Sequence, residues 1–98
     1  MIIVTGSIVA QDGKLEETLA LSLAHVRRSR AESGCISHAV HQDAENASRL
    51  VFIEEWKDQA ALAAHFAVAA SRSFVKAVTA LSIEAPKMSI FEASKLQG

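Results

Sequence analysis

The chain is predicted to be an α+β protein of ferredoxin-like βαββαβ order. Its four-stranded antiparallel sheet carries helices on one face, and two such sheets pack face to face in a homodimer. Three observations predict this. Four runs of strand character are separated by two helical regions in the order used by split βαβ folds. The 98 residues hold one domain, 1–98, with no room for a second. Strands one and three are apolar on both faces, whereas a sheet with one wet face alternates apolar with polar. In so short a chain, a second subunit is the natural cover for the other face.

Residues 2–10 are dominated by Ile2, Ile3, Val4, Ile8 and Val9, β-branched types that suit a pleated strand. Asp12 and Gly13 break the run. Asp12 is placed to cap a helix over 13–32, with Glu16 and Glu17 near its positive end. Leu15, Leu19, Leu23 and Val26 form its apolar stripe, Arg27, Arg28 and Arg30 crowd its negative end, and Gly34 stops it. Residues 35–41 read as a second, less hydrophobic strand. The run 49–56 is the clearest strand, sending Phe52, Glu54 and Trp56 to one side and Val51, Ile53 and Glu55 to the other. Asp58 caps a short helix over 59–66, and a second helical piece over 71–81 aligns Ser71, Phe74, Val78 and Leu81. Pro86 marks the edge or the start of the last strand, 83–92, because proline cannot serve a central ladder. The tail 93–98 is expected to fray.

Half of the residues are apolar, but 18 are alanine; the large side chains include one Trp, four Phe and no Tyr. A domain of this size buries only about 60–65% of its unfolded surface. With few large side chains and no internal disulfide possible from one cysteine, stability again points to a partner subunit. A net charge of -1 gives no general attraction to nucleic acid or to anionic membranes. The apolar N-terminal run lacks a basic start and is broken by Thr5, Gly6 and Ser7, so neither a signal segment nor a membrane span is expected. A cytoplasmic location follows as the default. Ala60, Ala61, Ala63, Ala64, Ala67, Ala69 and Ala70 cluster in the second helical region. Such small side chains either leave room for a ligand or let that segment pack closely and move as a lid.

No phosphate loop, nucleotide fingerprint, serine elbow or zinc spacing is present. The informative residues are Glu32-Ser33-Gly34-Cys35, then Glu54-x-Trp56, then His65 nine positions further on, with Leu62 before it and Phe74 beyond. Over nearly the whole chain this pattern resembles the antibiotic biosynthesis monooxygenase family of dimeric α+β barrel proteins. The resemblance implies a homodimer with a pocket in each subunit, between sheet and helices. Members with known activity oxidise aromatic polyketides or quinols with O2, some of them without metal or flavin, so no cofactor is expected here. Such chemistry needs a base, an oxyanion partner and a dry aromatic cavity. His65 and His38 are the candidate bases. Glu54 orients the histidine or the substrate, Trp56 packs the ring and offers its indole N–H, and Phe52, Phe66 and Phe74 complete the wall.

The chain departs from the family pattern at Ser33, in place of a proline, at His38, where an aromatic is usual, and at Ala70, in place of a second histidine. The first strand lacks the asparagine of haem-degrading relatives, which counts against haem degradation with His65 as axial ligand. A second reading is a non-catalytic ligand-binding or stress-response module with the same pocket. Structural roles compete at each position: Trp56 as core anchor, His65 as a core histidine, Glu54 paired with an arginine or histidine. Cys35, His38 and His41 suggest a metal by spacing, but strand alternation sends 38 away from 35 and 41, so no metal site is expected there. Cys35 reads as a small buried residue, and the arginine cluster as a solvated helix end.

Overall fold

The computed structural model describes all residues, 1–98. The chain runs through β1 (Ile2–Val9), α1 (Leu15–Ser29), β2 (Cys35–Gln42), β3 (Arg49–Trp56), α2 (Gln59–Ala67), α3 (Ala69–Leu81) and β4 (Lys87–Glu92). The strands form one antiparallel sheet in the order β2-β3-β1-β4, with the helices on one face. Pro86 immediately precedes β4, which is an edge strand as expected. That strand is shorter than 83–92, because Ser82 forms only an isolated bridge to Ala10 before the chain turns. No helix is long and apolar enough to cross a membrane.

Alternation along the two central strands decides which side chains enter the core. Ile2, Val4 and Ile8 of β1 and Leu50, Phe52, Glu54 and Trp56 of β3 are buried beneath the helices. They divide into two apolar clusters. Ile8, Val26, Leu50, Phe52, Phe74 and Val78 form one under α1 and α3. Ile2, Val4, Trp56 and Leu62 form the other under α2. The far face carries Ile3, Val51, Ile53 and Phe91, of which Ile53 and Phe91 are exposed.

Helix α1 is rotated from the orientation that its leucines suggest. Its buried residues are Thr18, Ser22, His25, Val26 and Ser29, while Leu15, Leu19 and Leu21 flank the core half-buried. Burial of the hydroxyls is possible because each bonds back one turn: Thr18 to the Lys14 carbonyl at 2.7 Å, Ser22 to Thr18 at 2.7 Å, and Ser29 to His25 at 2.8 Å. Satisfied in this way, small side chains present little polarity to the sheet. The N-cap residue is Lys14, not Asp12, and it makes no side-chain capping bond; the helix ends at Ser29 rather than at 32. Asp58 does cap α2, its carboxylate accepting the Ala61 N–H at 2.9 Å.

Gly34 turns the chain from α1 into β2 at φ 82°, and its carbonyl accepts the Lys57 N–H at 2.8 Å. A Cβ at this position would lie 2.5 Å from the Ala61 Cβ. Ala61 is thus one alanine of the cluster whose smallness permits close packing, whereas Ala60, Ala63, Ala64, Ala67 and Ala69 face outward. Both the left-handed backbone and the close approach require glycine. Gly34→Ala is expected to lower the unfolding free energy by about 2–4 kcal/mol. Urea denaturation checks this, and an unchanged midpoint contradicts it.

Candidate active site

A cavity of about 510 Å³ opens between the sheet and the helices. Ile8, Phe52, Phe66, Phe74, Val75 and Val78 supply much of its apolar wall, and Met88 of β4 stands at its side. His25, Glu54 and His65 also reach the wall, from α1, β3 and α2 respectively. Phe52, Phe66 and Phe74 therefore line the cavity, as do Glu54 and His65. Trp56 and His38 do not. Both are buried behind the wall: Trp56 is fully enclosed against Ile2, Val4 and Leu62, and His38 retains only 2% of its exposure. None of the clustered alanines lines the cavity, so they leave no ligand space there; the close contact among them is the one at Ala61.

Trp56 reaches the site through its indole N–H, which donates to Glu54 Oε1 at 2.9 Å. The same oxygen lies 3.3 Å from His38 Nε2 and 4.0 Å from His65 Nε2. The His38 approach is off-line for a hydrogen bond. Burial pushes the Glu54 carboxyl above its ordinary range; the Trp56 bond and His65 pull it back, and Glu32 pushes it up again. The other ring nitrogen of His65, Nδ1, donates to Glu32 Oε1 at 3.0 Å, an arrangement that leaves Nε2 of the neutral ring as an acceptor. Trp56 also packs on the His65 ring, with centroids 4.6 Å apart.

His25 is the residue that the leucine-based reading of α1 missed. It stacks on Phe74 at 4.1 Å with nearly parallel rings, and lies 5.2 Å from His38 and 5.3 Å from His65. The available signal was the recurrence of Thr18, Ser22, His25 and Ser29 at helical spacing. Burial, then His65 and Arg28, holds His25 down at about 4; burial, then His25, His65 and Arg30, holds His38 down at about 3. Both rings are neutral at physiological pH. His25 Nδ1 and both nitrogens of His38 are buried without a hydrogen-bond partner. Each such orphan costs about 1–3 kcal/mol.

Cys35 lies on the same sheet face as His38, not on the opposite face that unbroken strand alternation predicts. A bulge between Cys35 and Ser37 opposes Cys35 to Trp56 and His38 to Glu54, so both point toward the helices. His41 lies at the exposed end of β2. Burial, with Glu32 and Glu54 nearby, raises the Cys35 thiol, so it remains protonated and packs beside the second core cluster. Arg30 is not simply solvated, because its Nε donates to the His38 carbonyl at 2.9 Å.

The model of the family described as "Antibiotic biosynthesis monooxygenase" matches residues 1–77. The chain belongs to the antibiotic biosynthesis monooxygenase family. An uncharacterized Synechocystis protein, sll1783, is 32% identical over 96 residues, covering 98% of this chain. The match spans 65% of that relative's length. The Bacillus subtilis protein named "Putative monooxygenase YcnE" is 32% identical over 75 residues, covering 76% of this chain and 79% of that one. Among solved structures, PA3566 from Pseudomonas aeruginosa superposes with a TM-score of 0.85 at 29% identity, covering 96% of this chain and 94% of that one. In this member of the antibiotic biosynthesis monooxygenase family, Ala70 lies half-buried on α3 outside the cavity wall. His38 stands directly across from Glu54 in the β2–β3 ladder.

The Trp56–Glu54 bond is expected to contribute to folding. Trp56→Phe should cost about 2–4 kcal/mol, and its double-mutant cycle with Glu54→Leu, which removes the acceptor, should show a coupling of about 0.5–3 kcal/mol. Denaturant unfolding of the four proteins measures it; strict additivity would show that the bond carries nothing.

Proposed function

We propose that this protein is a monooxygenase that uses O2 to oxidise a small, largely apolar aromatic substrate, quinol- or polyketide-like, with an acidic hydroxyl or enolisable carbon. The observation that carries the reading is His65, set in an aromatic cavity wall with its Nδ1 held by Glu32. The cavity, about 510 Å³, falls in the size range of small-molecule sites. The phenyl rings of Phe52, Phe66 and Phe74 offer a flat ligand apolar contact, and the Ser71 side of the wall offers a hydroxyl.

In this reading His65 Nε2 accepts the substrate's proton, and Glu32 stabilises the imidazolium so formed. The substrate carbanion or enolate gives one electron to O2, and the resulting radical and superoxide combine into a peroxide at carbon. The proton held by His65 returns to the peroxide, and loss of water leaves a carbonyl: one oxygen atom enters the product and the other leaves as water. Glu54, held by the Trp56 N–H and 4.0 Å from His65 Nε2, positions the hydroxyl from beside the base. His38 acts through Glu54 rather than on the substrate.

The proposed assembly is a homodimer whose subunits cover each other's far sheet face. Its support is the row of Ile3, Val51, Ile53 and Phe91, with Ile53 and Phe91 about half exposed in the isolated chain. Such an apolar face on a small domain marks an interaction surface. Ile53→Asp is expected to give monomers in sedimentation at concentrations where the parent is dimeric. Monomeric parent protein under those conditions sinks the assembly.

Oxygen uptake with a panel of quinols and hydroxylated polycyclic aromatics tests the chemistry. His65→Ala should lower turnover by about 10²–10⁴-fold with the fold intact, and Glu32→Gln by less. Undiminished turnover in His65→Ala removes His65 as the base.

A further inference from the structure

We propose that His25, His38 and His65 form a three-nitrogen site for a divalent transition-metal ion at the inner end of the cavity, with its open side toward the cavity interior. The inference goes beyond the oxygenase reading and stands without it.

Three separate elements, α1, β2 and α2, deliver one imidazole each to the same point. The ring centroids are 5.2, 5.3 and 5.7 Å apart, a nearly equilateral triangle, and one donor atom from each ring lies within 4.8 Å of the others. A tetrahedral ion with metal–nitrogen bonds of about 2.0–2.1 Å needs donors about 3.4 Å apart. Modest ring rotations close that gap, since each ring swings its nitrogens about the Cβ–Cγ axis. All three histidines are buried, and the unpartnered nitrogens are His25 Nδ1 and both of His38. A buried neutral imidazole must place its N–H somewhere and use its lone pair somewhere. A cation among the three rings uses the lone pairs.

The surroundings have the form of an outer shell. Glu32 accepts from His65 Nδ1 and so directs Nε2 inward, the carboxylate–histidine arrangement that orients metal ligands. Glu54 Oε1 is 3.3 Å from His38 Nε2 and 4.0 Å from His65 Nε2, close enough to serve as a fourth donor or as a negative neighbour. Trp56 fixes that carboxylate through its N–H. Imidazole and carboxylate donors without thiolate suit Zn2+, Co2+, Ni2+, Cu2+ or Fe2+ rather than Ca2+ or Mg2+. His25 and His65 both belong to the cavity wall, so a ligand entering the cavity meets the open side of the ion.

The test uses the full chain, stripped with chelator and titrated with Co2+ and then Zn2+ in the absence of substrate. Expected is one Co2+ per chain, with the visible ligand-field absorption of a four- or five-coordinate site that one equivalent of Zn2+ bleaches. His25→Ala and His38→Ala should each weaken binding by about 10-fold or more, and His41→Ala should leave it unchanged. The chain has only four histidines, so proton NMR of the unmutated protein supplies a check independent of variant folding. Co2+ should shift the ring resonances of His25, His38 and His65 strongly and spare His41. Absence of stoichiometric binding, binding that survives both substitutions, or a shift confined to His41 overturns the proposal. Ligation occupies the His65 Nε2 lone pair, so oxygen uptake through that base is measured separately, on the chelated protein. Failure of metal binding thus leaves the oxygenase reading standing, and the converse holds.

Discussion

The burial of Glu54 on the helix-covered face of a central strand constrains everything around it. A carboxyl group withdrawn from water must be met by donors or charge, and β3 alternation leaves no way to turn this side chain outward without exposing Phe52 and Trp56 as well. Trp56, two residues on along the same face, supplies the nearest N–H. His38, directly across the ladder, and His65, above it on α2, approach the same oxygen. The polar centre is therefore a consequence of strand register as much as of residue choice. It also separates the two apolar clusters, one beneath α1 and α3 and the other beneath α2.

The helices must accommodate this polar centre, and α1 does so with small residues. Leucines directed at the sheet would fill the space that His25 occupies between Phe74 and His38. Thr18, Ser22 and Ser29 keep α1 close, and their hydroxyls bond back one turn to carbonyls of the helix itself. The larger leucines then move to the flanks. The same logic holds at Gly34 and Ala61, where two minimal side chains let the α1–β2 corner meet the start of α2. That contact helps set the height at which His65 stands over β3.

This explains which parts were legible in the sequence. Arg49–Trp56 is an uninterrupted run of strand character and Asp58 is a physical signal, a carboxylate three residues before the N–H it caps, so β3 and α2 could be read directly. Those two elements hold Glu54, Trp56 and His65, and with them half of the site. The other half depends on α1 and β2. Hydropathy counts a threonine or serine as polar whether or not its hydroxyl is already satisfied, and the stripe of Leu15, Leu19, Leu23 and Val26 therefore shares Val26 with the buried face but is rotated away from its centre. Strand period assumes an unbroken ladder, and the bulge after Cys35 moved that residue to the face shared with His38. The bulge has no distinct residue signature here, and the face of α1 is marked only by the spacing of Thr18, Ser22, His25 and Ser29, which hydropathy does not register.

A buried polar centre carries a stability cost in a chain this small. Nine of its 20 buried residues are polar or charged, and several buried imidazole nitrogens have no partner, so the interior gives up part of the stabilisation that an apolar core would supply. The two proposed additions would offset this loss at different places. A second subunit over Ile53 and Phe91 would bury apolar surface on the far side of the sheet without touching the cavity. An ion among the histidines would act on the near side, at the very groups that carry the cost. The first addition would leave the site free to exchange ligands; the second would tie its occupancy directly to the stability of the fold, because an ion that binds only the assembled triangle of rings stabilises the state in which α1, β2 and α2 are docked together.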